Sequence, residues 1–256
     1  ALNSIGTTFA PFFVASIIFG GSLPEVTQLL LPLSILILVI ALLTGIVSKL
    51  NLPNPNVGSD SDIIDMSKLT KNIWSFKHLT LGVVGIFVYV GAEVCVGSNI
   101  VLHAKQLGIP ASDYQFMASL YWGGMLVGRL LGSFLSKISA GTQLAVTSLV
   151  SLILVVLAMS TNNLWFLVAV GLMHSIMWGA IFAMAIDKLG IYTAKGSGAL
   201  MIGVSGGAVL PWIQGISADV VGGWEITWAI VIIAEAYLLF YALVGHKHKF
   251  DKPIVD

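Results

Sequence analysis

Charge is what this chain lacks most. Asp, Glu, Lys and Arg together make up 9% of its 256 residues, against roughly one quarter in soluble domains. So few charges cannot cover a water-facing exterior, and with 57% apolar residues the solvent for most of the surface must be lipid. Net charge is zero, so composition offers nothing to attract nucleic acid or an acidic polymer. The single cysteine, Cys95, excludes an internal disulfide and any cysteine-cluster metal site, and it sits in an apolar run as a small packing residue. There is no phosphate loop, no H-E-x-x-H and no dinucleotide fingerprint. No cofactor or metal is expected. A signal peptide is also missing, and the first residues already read as membrane helix without an initiator methionine, so the natural start is expected upstream.

What is present is a series of long apolar runs. A membrane-spanning helix needs about 20 mostly apolar residues, and eight windows qualify: residues 2–19, 26–48, 79–102, 114–136, 144–159, 164–186, 198–218 and 226–244. This predicts an all-α membrane protein of eight transmembrane helices. Residues 51–78 form the only long polar stretch, with Pro53, Pro55, the acidic cluster Asp60, Asp62 and Asp65, and then Lys68, Lys71 and Lys77. That composition is a linker between two helical bundles.

Lysine and arginine near span ends are held on the cytoplasmic side. Eleven of the twelve fall on one side of the eight-span arrangement: Lys49, Lys68, Lys71, Lys77, Arg129, Lys137, Lys188, Lys195, Lys247, Lys249 and Lys252. Lys105 alone falls on the other. The linker and the C-terminal tail are therefore expected in the cytoplasm. Trp74, Trp165, Trp224 and Trp228 sit near span ends, where headgroups suit the indole ring, whereas Trp122, Trp178 and Trp212 fall inside spans as core packing or as flat faces for a ligand.

Two carboxylates lie within spans, and a charge at that depth costs a few kcal/mol unless paired or neutralised. Glu93 is the stronger functional candidate, because Tyr89 precedes it by one turn and Ser98 and Asn99 follow. A helix facing only lipid has no use for such a polar face. Glu235 has fewer polar neighbours and reads better as a structural carboxyl. Asn3, Ser4, Thr7 and Thr8 open the first span with groups that can bind sugar hydroxyls or another helix. His174 and Trp178, one turn apart, form a candidate cavity stripe, with a satisfied interior histidine as the competing reading.

Gly124, Gly128 and Gly132 recur every four residues, as do Gly203 and Gly207, with Gly215 continuing the stripe and Pro211 within it; such spacing lets backbones meet closely or bend. Gly203-Val204-Ser205-Gly206-Gly207 also fits the G-x-S-x-G elbow and resembles the Gly-x-Ser-Gly of rhomboid proteases. A serine nucleophile needs a base within reach. Here the later histidines, His246 and His248, lie in the polar tail and His174 comes too early, so glycine packing explains the motif better. Two other readings stay open beside transport: an intramembrane serine hydrolase using Ser205, and a non-transporting scaffold or sensor.

Six helices after a long cytoplasmic loop, preceded by paired helices, resemble the major facilitator superfamily. Asn3-Ser4-Ile5-Gly6-Thr7-Thr8, Tyr89-Val90-Gly91-Ala92-Glu93, Gly128-Arg129 and Ile181-Phe182 with Lys188-Leu189-Gly190 narrow the resemblance to the bacterial fucose/galactose/glucose:proton symporter family, over essentially the whole chain. The resemblance implies that the eight spans are helices 5–12 of a twelve-helix fold. Residues 1–48 would be the last two helices of the N-terminal bundle, 49–78 the cytoplasmic linker, 79–245 the C-terminal six-helix bundle and 246–256 a cytoplasmic tail. It further implies alternating-access import of a monosaccharide with a proton across the bacterial inner membrane. Asn3, Glu93, Asn99, Trp122, His174 and Trp178 would line the sugar site, and Arg129 and Lys137 would gate its cytoplasmic side. Glu93, standing where the family's fucose permease has an amide, tilts the substrate toward glucose or galactose. The chain departs from the family at Gly179-Ala180, where relatives carry proline and threonine before the Ile-Phe of helix ten. The family's proton-carrying carboxylates lie on helices one and four, so coupling is expected to require those further helices.

Overall fold

The computed structural model describes residues 30–50 and 72–247, and these contain helices joined by short turns and no strand. In chain order the helices are α1 (Leu30–Val47), α2 (Lys77–Gln106), α3 (Ala111–Gly132), α4 (Ala140–Thr161), α5 (Trp165–His174), α6 (Met177–Ile186), α7 (Thr193–Ile202), α8 (Gly206–Val221) and α9 (Ala229–Phe240), the last continued by a π-helical turn, Tyr241–Gly245. Five stretches are long and apolar enough to cross a membrane: Lys77–Gln106, Ala140–Thr161, Trp165–Ile186, Gly190–Val221 and Glu225–Gly245. Helix α3, with 22 residues, is of spanning length, but it carries Asp113 and Arg129 and is not among them. The window expected at 2–19, the start of the next one, most of the linker and the end of the tail lie outside the described residues.

Local chemistry sets the ends. Ser139 caps α4 by accepting the Thr142 amide at 3.2 Å, and Asn162 closes it in the left-handed conformation. Gly222, at φ 77°, ends α8 in the same way without a Cβ penalty. Two of the expected spans are not continuous helices. Residues 164–186 break at Ser175 and Ile176 into α5 and α6, and the stretch from Gly190 to Val221 is interrupted by a tight turn at Gly203–Ser205.

Helix α2 is the central post, packed against α3, α6, α7, α8 and α9. Buried side chains form two apolar clusters along it. One gathers Phe76, Leu79, Ile86, Leu144, Ile181, Leu189, Leu200 and Leu238 near its Lys77 end. The other gathers Val96, Ile100, Tyr114, Val155, Leu167, Trp228 and Val231 near its Gln106 end. The outside is apolar as well: Phe134, Val220 and Ile233 are more than two-thirds exposed, a surface that suits acyl chains rather than water. Every side chain of 30–50 whose burial is described is exposed, so α1 finds no partner face within the described bundle.

The glycine stripes divide. Gly124, Gly128 and Gly132 all face the segment from Gly171 to Ile176, and a Cβ on Gly128 would overlap the Ser175 hydroxyl. Gly203 and Gly207 press on α2, but the tightest approach is at Gly206, where a Cβ would collide with the Phe87 carbonyl; Gly215 faces open space. Trp74 and Trp165 are exposed as expected of headgroup-level rings, whereas Trp228 is fully buried and the interior candidate Trp212 is two-thirds exposed.

Gly206→Ala is expected to cost about 1–3 kcal/mol of stability, because the Phe87 backbone cannot move aside as a side chain would. Gly215→Ala is expected to be neutral or slightly stabilising. Thermal unfolding of the two variants in the same detergent checks the contrast; equal losses would mean that the α2–α8 approach is looser than described.

Candidate functional site

Between the two apolar clusters lies a layer of polar side chains contributed by five helices. At the α5–α6 break, side chains bond the backbone: the Tyr89 hydroxyl donates to the His174 carbonyl at 2.9 Å and Arg129 Nε to the Ser175 carbonyl at 3.3 Å. In a bilayer, where no water competes, such bonds are what makes a break tolerable. The His174 ring turns inward and is wholly buried. Its Nε2 lies 2.6 Å from Glu235 Oε1 on α9, and its Nδ1 lies 2.7 Å from the Tyr121 hydroxyl on α3. Ser151 on α4 donates to the same Glu235 oxygen at 2.8 Å. Tyr121 also reaches the backbone carbonyl of Glu93 at 3.1 Å. Glu93 itself is 14% exposed and faces Arg129 Nη2 at 3.8 Å.

Removing one partner of a buried pair leaves an uncompensated charge, which costs far more than the intact pair contributes. His174 and Glu235 are therefore a single unit. The join itself is not legible in the sequence, because the two residues are 61 positions apart and neither spacing nor composition marks them as neighbours. Ser151 was equally invisible. Many serines and threonines in these helices simply bond their own backbone, as Ser148 does with the Leu144 carbonyl at 2.7 Å.

Beside this layer is a cavity of about 460 Å³ lined by Arg129, Gln143, Ser175, Trp178, Gly179 and Ala180, among others. Its volume falls in the range of small-molecule pockets. Trp178 is partly exposed and stacks on Phe182 with ring centroids 5.0 Å apart. The unusual Gly179-Ala180 pair leaves the cavity wall smooth here, since nothing lies within 4 Å of a Cβ on Gly179. His174, one turn before Trp178, is not among the lining residues; the break at 175–176 parts two side chains that an unbroken helix would stack.

The remaining expected site residues are dispersed. Asn99 is buried and donates to Gln214 on α8 at 2.8 Å, and Gln214 in turn donates to Thr227 at 3.3 Å. Residues 93 and 99 are six positions apart, about 240° around the helix axis, which is why Glu93 meets α3 while Asn99 meets α8. Trp122 is partly buried, edge-on to Tyr121 at 5.2 Å, and it covers Gly97. Lys137 is exposed in the turn before α4, and Asn3 lies outside the described residues. A second buried group went unread from sequence: Trp228 donates its indole N–H to His103 Nδ1 at 2.9 Å, with Glu225 3.7 Å from Nε2. The Ser205 hydroxyl, proposed as a nucleophile, donates to the Ile202 carbonyl of its own helix at 2.8 Å.

The glucose/galactose transporter of Brucella abortus is 37% identical over 259 residues, covering 96% of this chain and 62% of its own length. In sequence and fold the chain is similar to the fucose/galactose/glucose:proton symporters of the major facilitator superfamily. The Escherichia coli L-fucose-proton symporter is 25% identical over 214 residues, or 81% of this chain and 48% of that protein. The fold agrees: a crystal structure of the E. coli fucose:proton symporter superposes with a TM-score of 0.66 at 20% identity, covering 93% of this chain and 67% of that one. No family model matches the sequence. Among relatives in this symporter family the chain spans about two-thirds of the full length or less, and it is a multi-pass membrane protein.

His174→Ala would leave Glu235 buried with Ser151 as its one bonded neighbour, and is expected to cost about 3–5 kcal/mol. The double variant His174→Ala, Glu235→Ala should cost clearly less than the two single losses combined, because it leaves no buried polar group without its partner. Denaturant unfolding of the four proteins in detergent measures the coupling; strict additivity would mean that the two side chains do not act as a unit.

Proposed function

We propose that the parent protein imports a hexose, glucose or galactose in preference to fucose, across the bacterial inner membrane together with a proton, by alternating access. The observation that carries the reading is a partly exposed carboxylate, Glu93, 3.8 Å from an arginine that lines a sugar-sized cavity beside an aromatic face. A pyranose offers hydroxyls on its rim and an apolar ring face, and a pocket selects it with a few polar groups plus a flat aromatic surface. Glu93 supplies the acceptor, Arg129 the donor and Trp178 the face, with Trp122 as a second aromatic wall. Asn99 and His174 act from behind by fixing their helices, and Asn3 contributes from outside the described residues. The names of the relatives, a glucose/galactose transporter and an L-fucose-proton symporter, support this substrate class.

On this reading residues 79–245 form the complete C-terminal bundle and 1–48 the last two helices of the N-terminal one, giving eight spans equivalent to helices 5–12. The linker 49–78 and the tail 246–256 are cytoplasmic, as the eleven-to-one division of cations requires. Arg129 and Lys137 serve the cytoplasmic gate: the Arg129 ion pair ties α3 to α2, and its release would let the bundle open on that side. Further helices are needed to complete the sugar site and the proton path.

Uptake of labelled D-glucose or D-galactose into cells or proteoliposomes tests the assignment in the full-length protein. Hydrogen bonds to a charged group are worth about 1.5–3 kcal/mol, so Glu93→Ala is expected to lower apparent affinity by roughly tenfold to a hundredfold. Uptake that survives unchanged in this variant would remove Glu93 from the site. A parent that binds the sugar but never accumulates it under a pH gradient would be a sensor instead.

A further inference from the structure

The transport reading uses Glu93 and the cavity; it leaves unexplained why a histidine, a glutamate, a serine and a tyrosine from four different helices are sealed together with no exposed surface. We infer that His174 and Glu235 form a proton-binding site within this bundle, and that the Tyr121 hydroxyl reports its occupancy to the Glu93 segment of α2.

The argument is a count of hydrogens. Tyr121 has one hydroxyl proton and two acceptors within reach, the Glu93 carbonyl at 3.1 Å and His174 Nδ1 at 2.7 Å. It can serve one of them at a time. With the site loaded, Tyr121 donates to the Glu93 carbonyl and accepts from His174 Nδ1–H, and a single proton lies between His174 Nε2 and Glu235 Oε1, 2.6 Å apart. The group is then neutral overall. When that proton is lost to bulk water, Glu235 becomes an anion, the remaining imidazole proton sits on Nε2 toward it, and Nδ1 becomes a bare acceptor. Tyr121 must then turn its hydroxyl to Nδ1, and the Glu93 carbonyl loses its donor. One proton leaves, the net charge falls by one, and a backbone bond on the sugar-facing helix is exchanged.

Among the described residues no donor reaches Glu235 Oε2, although that oxygen is fully buried. From α2 the site is faced by Tyr89 and Glu93, from α3 by Tyr121 and Arg129, and from α4 by Ser151. On α9 itself the hydroxyl of Tyr237 is spent on the Leu81 carbonyl, and just beyond its end that of Tyr241 is spent on the His78 carbonyl. Arg129 is the nearby cation, and its hold on Glu93 is the contact that a bound sugar would disturb. The inference rests on the proposed transport reading for its role in coupling, though the proton site stands on its own geometry.

Infrared difference spectroscopy of the full-length protein between acid and alkaline buffers reads carboxyl protonation without requiring transport. The parent should show a pH-dependent carboxylic C=O band that Glu235→Gln abolishes; identical carboxyl regions in the two proteins would overturn the site. Tyr121→Phe keeps the ring and removes the relay, and should move the midpoint of that band by about one pH unit or more. An unmoved midpoint would overturn the role of Tyr121. Should Glu235→Gln fail to fold, Glu235→Asp serves the comparison, because it withdraws the carboxyl from His174 Nε2; a band that moves in frequency or midpoint supports the site, and an unchanged band overturns it. Titrating D-galactose and D-glucose binding across pH then separates the two proposals. Affinity that varies with pH in the parent and is flat in Glu235→Gln supports coupling, whereas a parent that binds neither sugar sinks the transport reading and leaves the spectra to judge the proton site.

Discussion

Water is absent from the core of a bilayer, and that absence governs everything polar in this protein. A backbone carbonyl freed by a helix break, a buried imidazole or a carboxyl group must find its partner among neighbouring helices, because the unmet alternative costs several kcal/mol. The polar layer between the two apolar clusters is the result. Tyr89 and Arg129 bond carbonyls at the α5–α6 break, and His174, Glu235, Ser151 and Tyr121 satisfy one another. Because the bonds cross five helices, the layer ties the bundle together between its two apolar clusters.

Close packing makes those bonds possible. The glycines of α3 bring its backbone against Gly171 to Ile176, and this approach lets Tyr121 and Arg129 reach the broken helix. Gly206 does the same between α8 and α2. Small residues here are geometric instruments: they shorten the distance between helices until long polar side chains from one can bond the other.

Much of the fold was legible because hydropathy acts over a length that the bilayer sets. Helix positions agree with the expected windows to within a few residues wherever the chain is described, and the family resemblance carried by Tyr89 to Glu93 and Gly128-Arg129 is upheld by relatives of known name and by the fold. Breaks within two of the spans were not legible, since Ser175-Ile176 and Gly203–Ser205 differ little in hydropathy from their surroundings. Trp228 shows the limit of a positional rule: it lies near a span end as an interfacial ring would, yet His103 gives its N–H a buried acceptor and the ring goes inside.

The amino-acid sequence by itself determined that this is a helical membrane protein, roughly where its helices run, and that Glu93 is a carboxylate worth explaining. These follow from local quantities, the length of an apolar run and the cost of one charge within it. Only the tertiary structure decided that His174 belongs with Glu235 rather than with Trp178, that Asn99 and Glu93 serve different neighbours, and that Arg129 meets Glu93. Each of those pairings depends on helix rotation and on breaks that bring residues dozens of positions apart within 4 Å, and no pattern along the chain encodes a distance across it.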